Sequence, residues 1–135
     1  MQRRILSILV GIAFVSFLAA TGAWAGSPHF VECSVSISGN TVSVDGKEAG
    51  LGDENQITVV VTAEALCINN AGNHPRAVNK ESLSAGEDVP VQNGKAIFSI
   101  DLTATFQPDC SPPMTVEFRN ITVTDTTNNI SCTLD

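Results

Sequence analysis

The amino-acid sequence predicts an all-β protein, a single immunoglobulin-like β-sandwich of about seven antiparallel strands with two disulfides. Two observations support this prediction. Short segments in which apolar and polar residues alternate are separated by Gly, Asn and Pro turns, a pattern typical of β-sandwiches. The chain also has 4 cysteines, and an even number in an exported protein favours disulfides. A small β-barrel is the alternative architecture.

The N-terminal segment has the three parts of a signal peptide. A basic start is followed by an uncharged apolar run over residues 5–20 and by a small-x-small cleavage sequence that ends at Ala25. The apolar run is shorter than the ~20 residues that a membrane-spanning helix needs, so cleavage is favoured over retention as an anchor. We therefore expect a signal peptide over 1–25 and a domain over 26–135 that does not span the membrane. The expected location is secreted or periplasmic.

The charge balance of the domain restricts its partners. Cleavage removes Arg3 and Arg4, so the 7 basic residues of the chain become 5, against 14 acidic ones. An acidic domain repels phosphate backbones, and we expect no nucleic-acid partner. The single Trp lies in the predicted signal peptide and the chain has no Tyr, so the domain lacks the usual aromatic platforms for stacking bases.

The first half of the domain carries the clearest strand patterns. Period-two alternation predicts strands over residues 29–37, 41–45 and 56–67. The last of these has apolar residues on both faces, which predicts a central strand. Residues 46–55 are rich in Gly and charge and predict a loop. Residues 68–88 predict a much longer loop, with a short strand over residues 81–84 as an alternative within it, and loops longer than ~12–15 residues are often functional.

The second half of the domain predicts four more strands, over residues 89–92, 95–103, 114–124 and 130–134. Asn93-Gly94 tolerates positive φ at both positions, which predicts a hairpin turn between the first two. Pro90 cannot donate a ladder hydrogen bond and predicts an edge strand. The alternation slips at Asn120, where a β-bulge is expected. Asn120 and Asn129 also begin N-glycosylation sequons, which matter only in a eukaryotic host.

The positions of the cysteines suggest how they pair. Four cysteines permit three pairings, and the sequence alone does not choose between them. Cys33 and Cys132 lie in mid-strand on predicted core faces, whereas Cys67 ends a strand and Cys110 lies in a proline-rich loop. We predict that Cys33 pairs with Cys132 inside the sandwich and that Cys67 pairs with Cys110 between two loops. No two cysteines have the spacing of a metal clip, so no metal site is expected.

The loop 67–80 is the candidate binding site, together with the neighbouring loop 106–113. Its polar side chains offer hydrogen-bond donors and acceptors on an otherwise acidic protein, and loops on a rigid scaffold commonly carry recognition. This set of donors and acceptors includes Asn79, and the residues selected as candidate binding residues are Asn69, Asn70, Asn73, His74, Arg76 and Lys80. The expected partner is an unknown extracellular protein or a glycan. Turn formation by Asn and Gly is the competing explanation of this composition.

Other functions have weaker support in the sequence. His74 is the only plausible general base, and no Gly-x-Ser-x-Gly elbow is present, so we expect no enzyme, no catalytic residue and no cofactor. A hydrolase that uses His74 is the least favoured interpretation of the sequence. Asp53-Glu54 and Glu87-Asp88 could supply oxygen ligands to calcium, but solubilising charge on turns is the expected role. A structural cell-envelope protein without a ligand site is the main alternative.

Overall fold

The computed structural model describes residues 27–69 and 76–134; the predicted signal peptide, 1–25, lies outside these residues. Seven strands make up the described fold. They are β1 (His29–Ser38), β2 (Thr41–Ala49), β3 (Gln56–Asn69), β4 (Arg76–Pro90), β5 (Ala96–Thr103), β6 (Thr115–Asp125) and β7 (Ile130–Leu134). Within the described residues, no helix has the length and apolar character to cross a membrane.

The strands form two antiparallel sheets. One has the order β1-β2-β5 and the other has the order β4-β3-β6-β7. The all-β class, the seven antiparallel strands and the two disulfides agree with the prediction. The position of β3 between β4 and β6 also agrees with the apolar residues on both of its faces.

The core lies between the two sheets because every second residue of the main strands points inward. In β5 the alternation is complete, with Phe98, Ile100 and Leu102 buried and the residues between them exposed. The other strands contribute in the same way. The core cluster includes, from β2, β3 and β6, the buried side chains of Val42, Val44, Ile57, Val59, Val61, Phe118, Ile121 and Val123.

The prediction of a long loop over residues 68–88 is wrong. β3 continues to Asn69, and β4 pairs with it from Arg76 to Pro90; the connection 70–75 lies outside the described residues. Leu83 and Ala85 pack against the core, and Ser84 between them is exposed. Asn, Lys, Glu, Gly and Asp are depleted in strands, so the local sequence does not indicate β4. Its ladder to β3 supplies the structure that its own propensity does not.

The predicted hairpin around Asn93-Gly94 is correct at the turn and wrong beyond it. Both residues have positive φ, 54° and 75°, and a single bridge pairs Gln92 with Lys95. Beyond that bridge the chain separates, because β4 pairs with β3 in one sheet and β5 pairs with β2 in the other. Pro90 lies at the end of an edge strand, as its missing N–H predicted.

The predicted end of β2 is wrong, whereas the predicted bulge in β6 is confirmed. β2 runs to Ala49, four residues beyond its predicted end at Asp45, so the predicted loop begins only at Gly50. In β6 the predicted bulge at Asn120 is present. The register with β3 shifts there, and Asn120 has a φ of 53°. The bulge returns Ile121 and Val123 to the buried face after Phe118.

The two disulfides are Cys33–Cys132 and Cys67–Cys110, the pairs that the cysteine positions predicted. Cys33 is on β1 and Cys132 is on β7, which are edge strands of different sheets. This bridge therefore joins the two sheets along one side. The second bridge ties the C-terminal part of β3 to the connection between β5 and β6.

Candidate functional site

A cleft lies at the end of the molecule that carries the Cys67–Cys110 disulfide. Its volume is about 270 Å³, close to the lower end of small-ligand sites. One wall belongs to β3 and β4 and the other to the segment 104–114. The lining residues are Cys67, Asn79, Gln107, Pro108, Asp109 and Met114. Amide and carboxylate groups thus face a small apolar surface within one concavity.

Covalent and hydrogen bonds hold the two walls together. Besides the disulfide, the carboxylate of Glu81 on β4 accepts hydrogen bonds from the backbone N–H of Thr105 at 3.0 and 3.1 Å and from its hydroxyl at 3.3 Å. Ala104 N donates to Asn40 O at 2.8 Å, which ties the same segment to the other sheet. The irregular wall of the cleft is therefore anchored although three prolines in residues 106–113 exclude it from regular structure.

The sulfur atoms at the base of the cleft are close together. Cys67 is only 2% exposed, and its Sγ lies 3.7 Å from the Sδ of Met114. Met114 is the residue before β6, and its backbone N–H donates to Ser111 O at 2.9 Å, which closes a turn. The base of the cleft is thus apolar and packed, whereas its rim carries the polar groups of Asn79, Gln107 and Asp109.

The sequence-predicted site residues are divided by the structure. Asn69 and Arg76 are the last residue of β3 and the first of β4, and they are register partners. Lys80 does not line the cleft, because neighbouring residues of a strand point to opposite faces and Asn79 takes the cleft side. The loop 67–80 is therefore not one loop but two strand ends and their connection. Asn70, Asn73 and His74 lie outside the described residues.

Lys80 belongs instead to the outer face of the four-stranded sheet. Its Nζ lies 3.5 Å from Oε1 of Glu64, and Oε2 of Glu64 accepts a hydrogen bond from Asn120 at 3.1 Å. Glu64 and Asn120 also line a groove of about 450 Å³ beside the β6 bulge, together with Ser82 and Ser84 of β4. The ion pair is exposed, so its contribution to stability is small.

Two buried carboxyl groups lie near the opposite end of β3. Glu48 on β2 and Asp125 at the end of β6 are both fully buried, and no other charged residue is buried among those whose exposure the structure describes, 27–69 and 79–134. Asp125 pairs with Val59 in the ladder, eight residues before Cys67, which corresponds to roughly 27 Å along β3. The pair is therefore separate from the cleft. Because both groups are shielded from solvent, they offer no open surface to a substrate.

The sequence carries a signal for Glu48, but a weak one. Val42, Val44 and Glu48 share one parity, so an extension of β2 by four residues places Glu48 on the core face. The buried position of Glu48 was missed because residues 46–55 were predicted to form a loop. Within residues 27–69 and 76–134, no group of three or more His, Cys, Asp or Glu side chains could hold a metal ion.

The function of this chain has to be inferred from its own structure, because comparisons with known proteins found no match. No protein-family model, no curated protein and no solved structure matches the chain. The fold and the cleft define the class: a small all-β protein with two sheets, cross-linked by two disulfides and carrying a polar cleft at one end.

Proposed function

We propose that this chain is an exported immunoglobulin-like binding module that recognises a partner through the cleft at Cys67–Cys110. The strand orders β1-β2-β5 and β4-β3-β6-β7 support the immunoglobulin-like assignment. The constant-type immunoglobulin domain has the same seven strands, with its fourth strand in the first sheet rather than the second. In this proposal the module binds its partner and catalyses no reaction.

The extracytoplasmic location rests on two features. Disulfides persist in oxidising compartments, and all four cysteines of the chain are paired. The apolar run over residues 5–20 and the small-x-small sequence before Gly26 supply the export signal in the sequence. Mass spectrometry of the protein purified from its host should find Gly26 as the N-terminus, and retention of residues 1–25 would contradict the proposal.

The observation that carries the binding function is the anchored polar rim of the cleft. Asn79 is on a strand, and Gln107 and Asp109 are on a segment fixed by a disulfide and by the Glu81 hydrogen bonds. A rim held in place before binding loses little conformational entropy when a ligand arrives. The carboxylate of Asp109 and the acidic domain around it favour a cationic segment of a protein partner over an anionic ligand.

The ligand should first be sought with arrays of peptides and glycans probed with the oxidised domain 26–135. We expect binding to Lys- or Arg-containing peptides that weakens as salt is added, because charge complementarity is screened. If the domain binds only glycans, its partner is a carbohydrate rather than a protein, and the cleft remains the proposed binding site. Binding to neither class would remove the support for a recognition module and favour a structural role in the cell envelope.

Replacement of Asn79 and Asp109 by Ala together is expected to weaken binding of the selected peptide by about thirtyfold or more. Two hydrogen bonds, one of them to a charged group, contribute about 2–4 kcal/mol in total. Asp109 is exposed and Asn79 partly buried, so the melting temperature should change little. Isothermal titration calorimetry measures the affinity, and circular dichroism measures the melting temperature.

The matched control replaces Gln92 and Lys95, which line a separate concavity beside the Asn93-Gly94 turn. This variant also removes one amide and one charged group from the surface. It should bind the peptide as the unaltered domain does. Removal of Lys95 makes the domain more acidic, so a gain of affinity as large as the loss in the cleft variant would show that the cationic peptide responds to overall charge rather than to the cleft.

A further inference from the structure

Glu48 and Asp125 face each other across the two sheets. Glu48 follows Val42 and Val44 on the inner face of β2, and Asp125 ends β6 in the opposite sheet. Both side chains are 0% exposed. A contact between two acidic groups in this position is unfavourable if both are ionised, because burial weakens screening and strengthens the repulsion.

Asp125 has the environment of an ionised carboxylate. Its Oδ1 accepts hydrogen bonds from the backbone N–H groups of Thr127 at 2.8 Å and Asn128 at 3.2 Å, and its Oδ2 accepts one from the Asn128 amide at 2.7 Å. Burial alone would raise the pKa of Asp125. The hydrogen bonds from Glu48, Asn128 and Thr127 outweigh burial and lower that pKa below its usual value of 3.8.

Glu48 has the environment of a protonated carboxyl group. As a carboxylate it could only accept hydrogen bonds, and neither of its oxygens has a donor. With a proton it becomes a donor, and Asp125 is then its acceptor. Burial, this hydrogen bond and the negative charges of Asp125 and Glu54 raise the pKa of Glu48 from 4.5 to about 8. A buried ion without partners is costly, so the proton is retained.

Within residues 27–69 and 76–134, the charged groups that shift the pKa of Glu48 include no cation that could replace the proton. Phe30 on β1 and Ala96 on β5 are the ladder partners of Glu48, and both are uncharged. The charged groups that act on Glu48 are acidic: Asp125 on β6, and Glu54, whose Oε1 accepts a hydrogen bond from Asn128 at 3.3 Å. His29, the one histidine among the described residues, is exposed and hydrogen-bonded to Ser27 O.

We propose that Glu48 and Asp125 form a proton-controlled clasp between the two sheets, closed while Glu48 carries its proton and opened when alkali removes it. The parts of the fold that the clasp holds are the β6–β7 turn and the start of β3. Thr126 N donates to Thr58 O at 2.9 Å, and Thr58 N donates to the Thr127 hydroxyl at 3.0 Å. Loss of the proton places two like charges beside these contacts. This inference does not depend on the proposed binding function.

The clasp determines how stability changes with pH. The folded pKa of Glu48, about 8, exceeds its unfolded value of 4.5, so its contribution is fully present below pH 4.5 and is lost as pH rises to 8. The lowered pKa of Asp125 gives a contribution that is present above pH 3.8 and lost as pH falls through the folded value. The pair therefore favours a stability maximum between about pH 3.8 and 4.5, rather than at neutral pH.

Glu48→Gln is the decisive variant, because its amide can donate to Asp125 at every pH. In the oxidised protein, we expect the unfolding equilibrium of the wild type to shift toward the unfolded state by up to tenfold per pH unit between pH 5 and 8. Glu48→Gln should lack most of this slope and should melt at a higher temperature than the wild type at pH 8. The control Glu54→Gln removes a neighbouring charge but retains the proton donor, so the slope should persist.

Infrared spectroscopy detects the proton directly in the wild type and does not depend on folding of a variant. At pH 6 exposed carboxyl groups are ionised, so one protonated-carboxyl band should remain and should disappear as pH passes 8. Absence of this band, or equal pH slopes in the wild type and Glu48→Gln, would overturn the clasp. Stabilisation of the wild type by Ca²⁺ at pH 8, absent in Glu48→Gln, would also overturn it and would identify a cation site.

Discussion

Removal of the Cys33–Cys132 disulfide is expected to lower the free energy of unfolding by about 4–5 kcal/mol. The bridge joins residues 99 apart in the sequence, so it restricts the unfolded chain over nearly the whole domain. A domain of this kind is commonly stable by only about 5–15 kcal/mol, and the loss is therefore a large fraction of the total. The variant is Cys33→Ala/Cys132→Ala, and guanidinium denaturation followed by circular dichroism measures its stability, since the domain contains no Trp or Tyr.

The matched control is Cys67→Ala/Cys110→Ala. Its bridge closes a shorter segment, 43 residues, for which the same chain-entropy argument gives ~4 kcal/mol. The two variants should differ more in binding than in stability. Loss of the Cys67–Cys110 bridge releases one wall of the cleft and should weaken a cleft ligand, whereas loss of Cys33–Cys132 leaves that wall tied. A larger stability loss in the control would contradict the entropy argument.

Replacement of Gly46 by Ala is expected to destabilise the domain by about 1–3 kcal/mol, although it adds a single methyl group. Gly46 lies between Cys33 and Phe98 in the β1-β2-β5 sheet, and the Phe98 ring covers its Cα. A methyl group there would overlap the ring. The ring cannot move freely, because it also packs edge-to-face on Phe30 with 6.4 Å between ring centroids. Chemical denaturation measures the change.

Gly86 on β4 provides the control for Gly46. A Cβ at Gly86 would make only an ordinary contact with Val60, 3.5 Å from its Cγ2, so Gly86→Ala should be neutral or stabilising by up to about 1 kcal/mol. A double-mutant cycle tests the mechanism. Phe98→Leu in the Gly46→Ala background should cost less than in the wild type, because the smaller side chain leaves room for the methyl group. Additive effects would show that the ring is not the cause.

Features encoded by short stretches of sequence were predictable. The strand beginning at Gln56 has six apolar residues at alternate positions, and no other structure buries them together. Asn93-Gly94 predicted its turn because few residues other than Gly and Asn tolerate positive φ. The bulge at Asn120 was visible as a change in which residues are apolar. In each case the physical cause acts within about a dozen residues.

The candidate site was only partly predictable, because one of its walls is a strand, β4, that its own sequence does not indicate. Residues 106–113 were recognised as irregular, but the facing wall is a strand whose sequence contains Ser, Gly and acidic residues. β4 exists because β3 offers it a complete ladder, and a hydrogen-bonded partner strand cannot be seen in the sequence of β4 itself. The separation of Asn79 from Lys80 follows only once that strand is known.

The sequence by itself determined the all-β class, the acidic character and the pairing preference of the cysteines, because composition and period-two patterns act locally. Only the tertiary structure decided which sheet each strand joins, which residues line the cleft and where the proton is held. Glu48 and Asp125 are 77 positions apart in the chain. Their contact arises because β2 and β6 pack from opposite sheets, and burial then makes one of two ordinary carboxyl groups retain its proton.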